Sequence, residues 1–210
     1  MNSKNCRFCN IINGNYQHKF DQPFFKNNSY IAMASIGALV EGWTLIIPKE
    51  HQLSMKSLYS DINFTNFVDN LIPRIYKMYG PLIAFEHGSN KEGSITACGT
   101  NHAHLHLVPF SDSLMNDMNK SNMEWIKCRS SEIFNIVGKS EYLFYTEIGT
   151  NNIWNDPIGY LHILEFPISQ YFRQIIAKKL GHSDKFDYKI YPNADITEQT
   201  MLNLLEVSFR

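Results

Sequence analysis

The sequence predicts an α+β fold: a sheet with flanking helices, followed by a C-terminal β-hairpin and helix. Three observations carry this. The runs "YIAMASI", "WTLIIP" and "LIAFEHG" are rich in strand-favouring residues and bounded by Gly and Pro. Between the second and third, Phe64, Phe67, Val68, Leu71, Ile72, Ile75 and Met78 recur at three- and four-residue steps, the period of an amphipathic helix. Beyond residue 140, "EYLFYTEI" and "GYLHILEF" read as two strands around the turn-rich "GTNNIWNDPIG".

Taken in order, the elements divide the chain into residues 1–110, a polar stretch at 111–140 without clear periodicity, and 141–210. The middle stretch reads as a linker or flap, and the last as an extension packing on the first. In the long helix, Pro73 predicts a kink or two shorter helices, and Gly80 with Pro81 ends it. "SNKEGSITACGTN" reads as a loop. "SQYFRQIIAKKLG" reads as a helix with Ser169 as candidate cap and Gly181 as stop. Its buried stripe is Phe172, Ile175, Ile176 and Leu180, flanked by Arg173, Lys178 and Lys179.

Bulk properties exclude several classes. The 210 residues suffice for one domain with a core, with or without an appendage. A net charge of −1 gives no broad attraction to nucleic acid or an anionic membrane, so neither is expected as a partner. No run approaches a membrane span, and "MNSKNCRFCN" lacks an apolar signal core. The expected location is cytoplasmic, with the four cysteines as thiols or ligands rather than disulfides.

The densest chemistry lies in "NHAHLHLVPF", residues 101–110, which places His102, His104 and His106 at alternate positions. On a strand they share one face. Two chemical readings stand: all three ligate one metal, or one is a nucleophile while its neighbours hold phosphoryl oxygens. A neutral imidazole attacks phosphorus well, provided its other nitrogen donates its proton to a fixed acceptor. The bland alternative is a chance cluster on a solvated face. Cys6 and Cys9 form C-x-x-C, a spacing that can grip one Zn²⁺ through a tight turn. Structural zinc wants four ligands; His51, after a strand and Pro48, is a third candidate, and one histidine of the row would be the fourth.

"HAHLHLV" resembles the signature of the histidine triad (HIT) superfamily. "CRFCNIINGN" resembles the start of such proteins, and "GWTLIIPKEH" their second strand and the turn after it, in the same order over about the first 110 residues. The resemblance implies a HIT-like antiparallel sheet in residues 1–110. It also implies a nucleotide phosphohydrolase or nucleotidyl transferase working at an α-phosphate through a nucleotidyl-histidine intermediate. Dinucleoside polyphosphates or nucleoside phosphoramidates are the substrate types. By position, His104 would be the nucleophile, and His106 and Asn101 would contact phosphate. Cys6, Cys9, His51 and His102 would hold a structural Zn²⁺. A homodimer would be in keeping with the family.

The chain departs from the family pattern at Trp43, where many members have histidine, and at Ser35, where many have aspartate. These departures favour the alternative of a catalytically weak nucleotide-binding or RNA-associated HIT-like module. Of the smaller features, His87 reads as a turn histidine, with a lean into the site as its other use, and Cys98 as a small buried residue or else one that lines the site. Arg173 reads as part of a solvated helix face, with a leaving-group phosphate as its other use. Trp154 reads as a core seal, or else a stacking surface for a base.

Overall fold

The computed structural model describes residues 6–149 and 153–208. Eight strands form one sheet: β1 (Phe25–Lys26), β2 (Tyr30–Ala34), β3 (Thr44–Pro48), β4 (Leu82–Gly88), β5 (Leu105–Pro109), β6 (Ile126–Arg129), β7 (Glu141–Glu147) and β8 (Ile158–Leu164). They lie in the order β1-β2-β3-β5-β4-β7-β8-β6. Every pairing is antiparallel. Mixed with helices, this is the expected α+β class. The C-terminal hairpin β7–β8 joins the same sheet through β4, so the two halves of the chain share one hydrogen-bonded surface. The turn between β7 and β8 falls in part, at 150–152, outside the described residues.

The helices are α1 (Arg7–Ile12), α2 (Ile62–Tyr79), α3 (Met115–Met118), α4 (Ile133–Val137), α5 (Tyr171–Lys179) and α6 (Ala194–Ser208). α2 covers one face of the sheet. Its buried residues Phe64, Phe67, Val68, Leu71, Ile72 and Ile75 join one core with Ile46, Leu105, Leu107 and Phe144. Each such side chain, fully buried, contributes about 1.5–3 kcal/mol. That packing carries α2 through Pro73 as one helix, not as the two shorter helices that are one of the sequence's alternatives there. Pro73 is exposed, so water can satisfy the carbonyl that its missing N–H leaves free. Asp61 caps the start of α2, accepting from the Asn63 N–H, and Gly80, at φ +84°, closes its end.

α5 covers the opposite face, where Phe172 and Ile176 meet Phe85, Val108, Leu143 and Tyr145. Its cap is Gln170 rather than Ser169, and its buried stripe is Phe172, Arg173, Ile176 and Ala177. The helix is rotated from the expected position, which turns Arg173 inward. α1 packs Phe8, Cys9 and Ile11 on Ile31, Met33, Leu45 and Ile47 of the same sheet. Helix α6 has no counterpart among the expected elements. Its threonines obscure the helical pattern, yet they are buried ties: the Thr197 hydroxyl donates to the Ser35 carbonyl and the Gly42 N–H donates to the Thr200 hydroxyl. Residues 111–140 carry α3, β6 and α4. Among the described residues, no helix is long and apolar enough to cross a membrane.

One polar group sits deep on the α2 side. Glu86 of β4 is 1% exposed and accepts from the Met55 N–H at 2.6 Å, the Tyr59 hydroxyl at 2.7 Å and the Tyr142 hydroxyl at 2.5 Å. Loss of water outweighs those three donors and lifts its carboxyl from 4.5 to about 7. The native state therefore binds this proton more tightly than the unfolded chain does. The associated stabilisation is complete below pH 4.5 and is lost as pH rises through 7. Urea unfolding at pH 4.5 and pH 8 should show wild type losing about 3 kcal/mol more than Glu86→Gln over that interval. Parallel profiles for the two proteins would refute this.

Candidate active site and metal centre

Helix α1 begins directly after Cys6, and Cys9 follows three residues on, so both sulfurs lie on one side of its first turn. His51 follows β3, and His102 lies three residues before β5. Sheet pairing of β3 with β5 brings these three segments together. The ligand atoms of Cys6, Cys9, His51 and His102 all lie within 4.8 Å of one another, and this group could hold a metal ion. His102 Nδ1 stands 3.4 Å from the Cys6 sulfur and 3.5 Å from that of Cys9, and His51 Nδ1 stands 3.3 Å from the Cys9 sulfur. A zinc tetrahedron with ordinary Zn–S and Zn–N bonds has S···N edges of about 3.5 Å. The donor set and its spacing thus fit zinc.

The neighbouring groups fit as well. His102 Nε2 lies 2.8 Å from the Pro48 carbonyl, which can only accept, so the proton sits on Nε2 and the Nδ1 lone pair faces the sulfurs. Burial, then the adjacent Cys6, pushes the Cys9 thiol up to about 11. A cation must displace that proton, so metal affinity falls as pH falls.

The row of histidines divides. The β5 ladder starts at Leu105, because the His102 N–H is taken by the Thr100 carbonyl and the Ala103 N–H by that of Gln52. The expectation of one strand face for all three imidazoles is corrected accordingly. His102 turns to the cysteines, while His104 and His106 line a cleft on the α5 side of the sheet. Phe8 separates the two groups, its ring edge-to-face with His102 at 5.8 Å and His104 at 5.3 Å. Of the row, only His102 joins a group able to hold a metal among the described residues. A single metal on all three imidazoles is therefore not what the chain builds.

Each cleft imidazole has one nitrogen assigned. His104 Nδ1 lies 2.9 Å from the His102 carbonyl, which makes it the donor and leaves a bare lone pair on Nε2. His106 Nδ1 accepts from the Trp43 indole N–H at 3.0 Å, which puts its proton on Nε2. The Trp43 indole thus sets the tautomer of His106. His106 also stacks on Phe85 at 4.5 Å and meets His104 at 4.9 Å between ring centroids. Burial holds both imidazoles below their ordinary range, and for His106 the nearby His104 adds to the effect. Both are neutral at pH 7. One cleft therefore presents a bare ring nitrogen beside a ring N–H donor, the complement a phosphoryl group needs at phosphorus and at oxygen.

The cleft has an empty volume of ≈ 730 Å³, open solvent at its mouth included. Ser35 and Cys98 line it. Asn101 does not: its amide oxygen accepts from the Gly93 N–H at 2.9 Å, and that turn holds it away. Arg7 and Tyr188 line it without any signal in the sequence, and His87 and Arg173, for which a role at the site is the second of two sequence readings, line it too. His87 is the last residue but one of β4, not a turn residue; strand alternation places it on the face of Phe85 and His106. The sequence alone leaves Arg173 between a solvated helix face and a leaving-group phosphate, since a small shift in helix rotation decides which way it points. Trp154 is 1% exposed, stacked on Tyr59 at 5.8 Å, and seals the core.

No protein-family model and no curated protein matches the chain. It is similar to solved structures named for the histidine triad family. A histidine triad protein from Clostridium difficile shares 19% identity, over 54% of this chain and 96% of that one, with a TM-score of 0.41. A HIT family hydrolase from Clostridium thermocellum shares 23%, over 52% and 93%, with a TM-score of 0.38. A Zn-bound histidine triad family protein from Mycobacterium smegmatis shares 24%, over 53% and 78%, with a TM-score of 0.37. The chemistry of the site is read from its own geometry.

Two measurements check that geometry. Elemental analysis should find bound metal reduced at least about tenfold in Cys9→Ser and His51→Ala but retained in His104→Ala; retention in the first two would refute the cluster. Trp43→Phe leaves the His106 Nδ1 without its donor, and chemical denaturation should show a loss of about 1–3 kcal/mol.

Proposed function

We propose that the protein is a zinc-bearing HIT-type enzyme, a nucleotide phosphohydrolase or nucleotidyl transferase, with His104 as nucleophile and His106 as phosphate donor. The observation that carries this is the pair of fixed tautomers, a bare Nε2 on His104 beside an Nε2–H on His106 in one cleft. Residues 1–110 supply that pair, and residues 141–210 act as an extension that helps to wall the cleft.

The Nε2 lone pair of His104 attacks the α-phosphorus. A P–N bond forms as the bond from phosphorus to the leaving group breaks, and the leaving group departs with the electron pair. The positive charge gained by the imidazole is met by the bond from its Nδ1–H to the His102 carbonyl. The His106 Nε2–H donates to a non-bridging oxygen, where charge grows in the transition state. Water, or another acceptor, then attacks the same phosphorus. The P–N bond breaks, its electron pair returns to His104, and the attacking oxygen gives its proton to solvent water. Zinc on Cys6, Cys9, His51 and His102 would serve as a structural tie. His102 connects that tie to the chemistry, since its own carbonyl orients His104. A cytoplasmic, reducing setting would keep Cys6 and Cys9 available as thiolate ligands.

The test is to trap the intermediate. Brief incubation with a labelled dinucleoside polyphosphate or adenosine phosphoramidate should leave acid-labile label on wild type and none on His104→Ala. Turnover in that variant should fall by about 10³-fold or more. Absence of label on wild type, with nucleotide still bound, would make the chain a binding module instead.

A further inference from the structure

Two arginines line the cleft, and they differ in how their charge is met. Arg7 is paired with the fully buried Asp21 at 2.5 Å. Arg173 has no carboxylate within ion-pair reach among the described residues, although it is only 4% exposed. Its Nε–H donates to the Phe186 carbonyl at 2.9 Å and one terminal nitrogen donates to the Gly37 carbonyl. The guanidinium lies over the Trp43 ring, 4.8 Å from its centroid, and 5.8 Å from that of Tyr188. Two of its five N–H donors are thereby taken. The rest have no protein acceptor among the described residues.

Asp187, held by the Gln170 amide at 3.1 Å, acts on Arg173 only from beyond ion-pair reach, so the buried guanidinium has no anion in direct contact among the described residues, which is costly unless one arrives. Beside it, His87 is 8% exposed, lines the same cleft, and has a buried Nε2 without a hydrogen-bond partner. Its ring stands 6.4 Å from that of His106. Two residues with nitrogens that no protein acceptor among the described residues takes therefore line the space next to the His104–His106 pair.

We infer that Arg173 and His87 form a second anion subsite, which takes a further phosphate of the substrate and so selects nucleotides with two or more phosphates over phosphoramidates with neutral leaving groups. The inference rests on the reading of His104 and His106 as the α-phosphate site. It gives the C-terminal extension a binding role, since α5 carries Arg173. The loop at Gly37 holds that guanidinium in place. Gly37 has φ +68°, and a Cβ there would stand 2.3 Å from the Tyr188 Cβ, so only glycine lets the two segments close around Arg173.

Equilibrium binding to the full chain tests this, with AMP against α,β-methylene-ADP, and inorganic phosphate against pyrophosphate as base-free probes. Wild type should bind the longer member of each pair at least about tenfold more tightly. Arg173→Gln should abolish most of that ratio, and Arg173→Lys should restore part of it. An unchanged ratio in Arg173→Gln, or a wild-type ratio near one, would overturn the subsite. Equal losses for both members of a pair would overturn it too, because Arg173 would then only staple the Gly37 and Phe186 loops. Should Arg173→Gln not fold, the same ratio in His87→Leu decides, with a fall expected and no change fatal. Wild type that shows the ratio yet never traps a nucleotidyl group would refute the proposed chemistry while leaving the subsite standing.

Discussion

The removal of imidazoles from water is the constraint on which the rest of this site depends. His87, His102, His104 and His106 are crowded onto two short segments, and burial drives each below its ordinary titration range. A neutral imidazole has one donor and one acceptor, so burying it demands that each nitrogen be assigned. The Pro48 carbonyl does this for His102, the His102 carbonyl for His104, and the Trp43 indole for His106. The first two of these bonds share His102 and so connect the cysteine cluster to the cleft, while the third fixes His106 independently. A displacement of His102 would pass to His104 through the main-chain oxygen between them.

The sheet makes this chain of assignments rigid. His106 lies between Leu45 of β3 and Phe85 of β4, and both neighbours are fixed by ladder hydrogen bonds. The ladder gives way at Leu105, which lets His102 and Ala103 bond to Thr100 and Gln52 instead. That local break decides where the rings point. A regular strand through 102 would present three equivalent rings to the cleft; the bend sends one to the cysteines and leaves two.

The later half of the chain is part of the same construction. Strand β7 pairs with β4 along seven-residue strands, and α5 packs Phe172 against Phe85, the residue on which His106 stacks. Arg173, next in sequence, lies on Trp43, which in turn holds His106. Aromatic faces thus replace carboxylates as the environment of a buried cation. Trp43 has two roles at once, donor to the imidazole and platform for the guanidinium.

What the sequence determined by itself was whatever depends on period and spacing. The main strands, the stripe of α2, the alternation of the histidines and the i, i+3 cysteine pair are local patterns, and local geometry suffices to read them. Ligand chemistry led from the Cys6 and Cys9 pair to His51 and to one histidine of the row, and only the resemblance to the histidine triad superfamily singled out His102. The tertiary structure alone decided directions. Asn101 and His87 sit on similar loop and strand ends, yet Gly93 draws one away and the β4 register turns the other in. Helix α6 was hidden because its buried threonines are read by propensity as poor helix formers, whereas tertiary bonds to Ser35 and Gly42 determine their use. Arg173 differs from its neighbours on α5 by a rotation set through packing against Phe85 and Trp43. Residue type fixes the charge a side chain carries, and only contacts distant in sequence fix where that charge points.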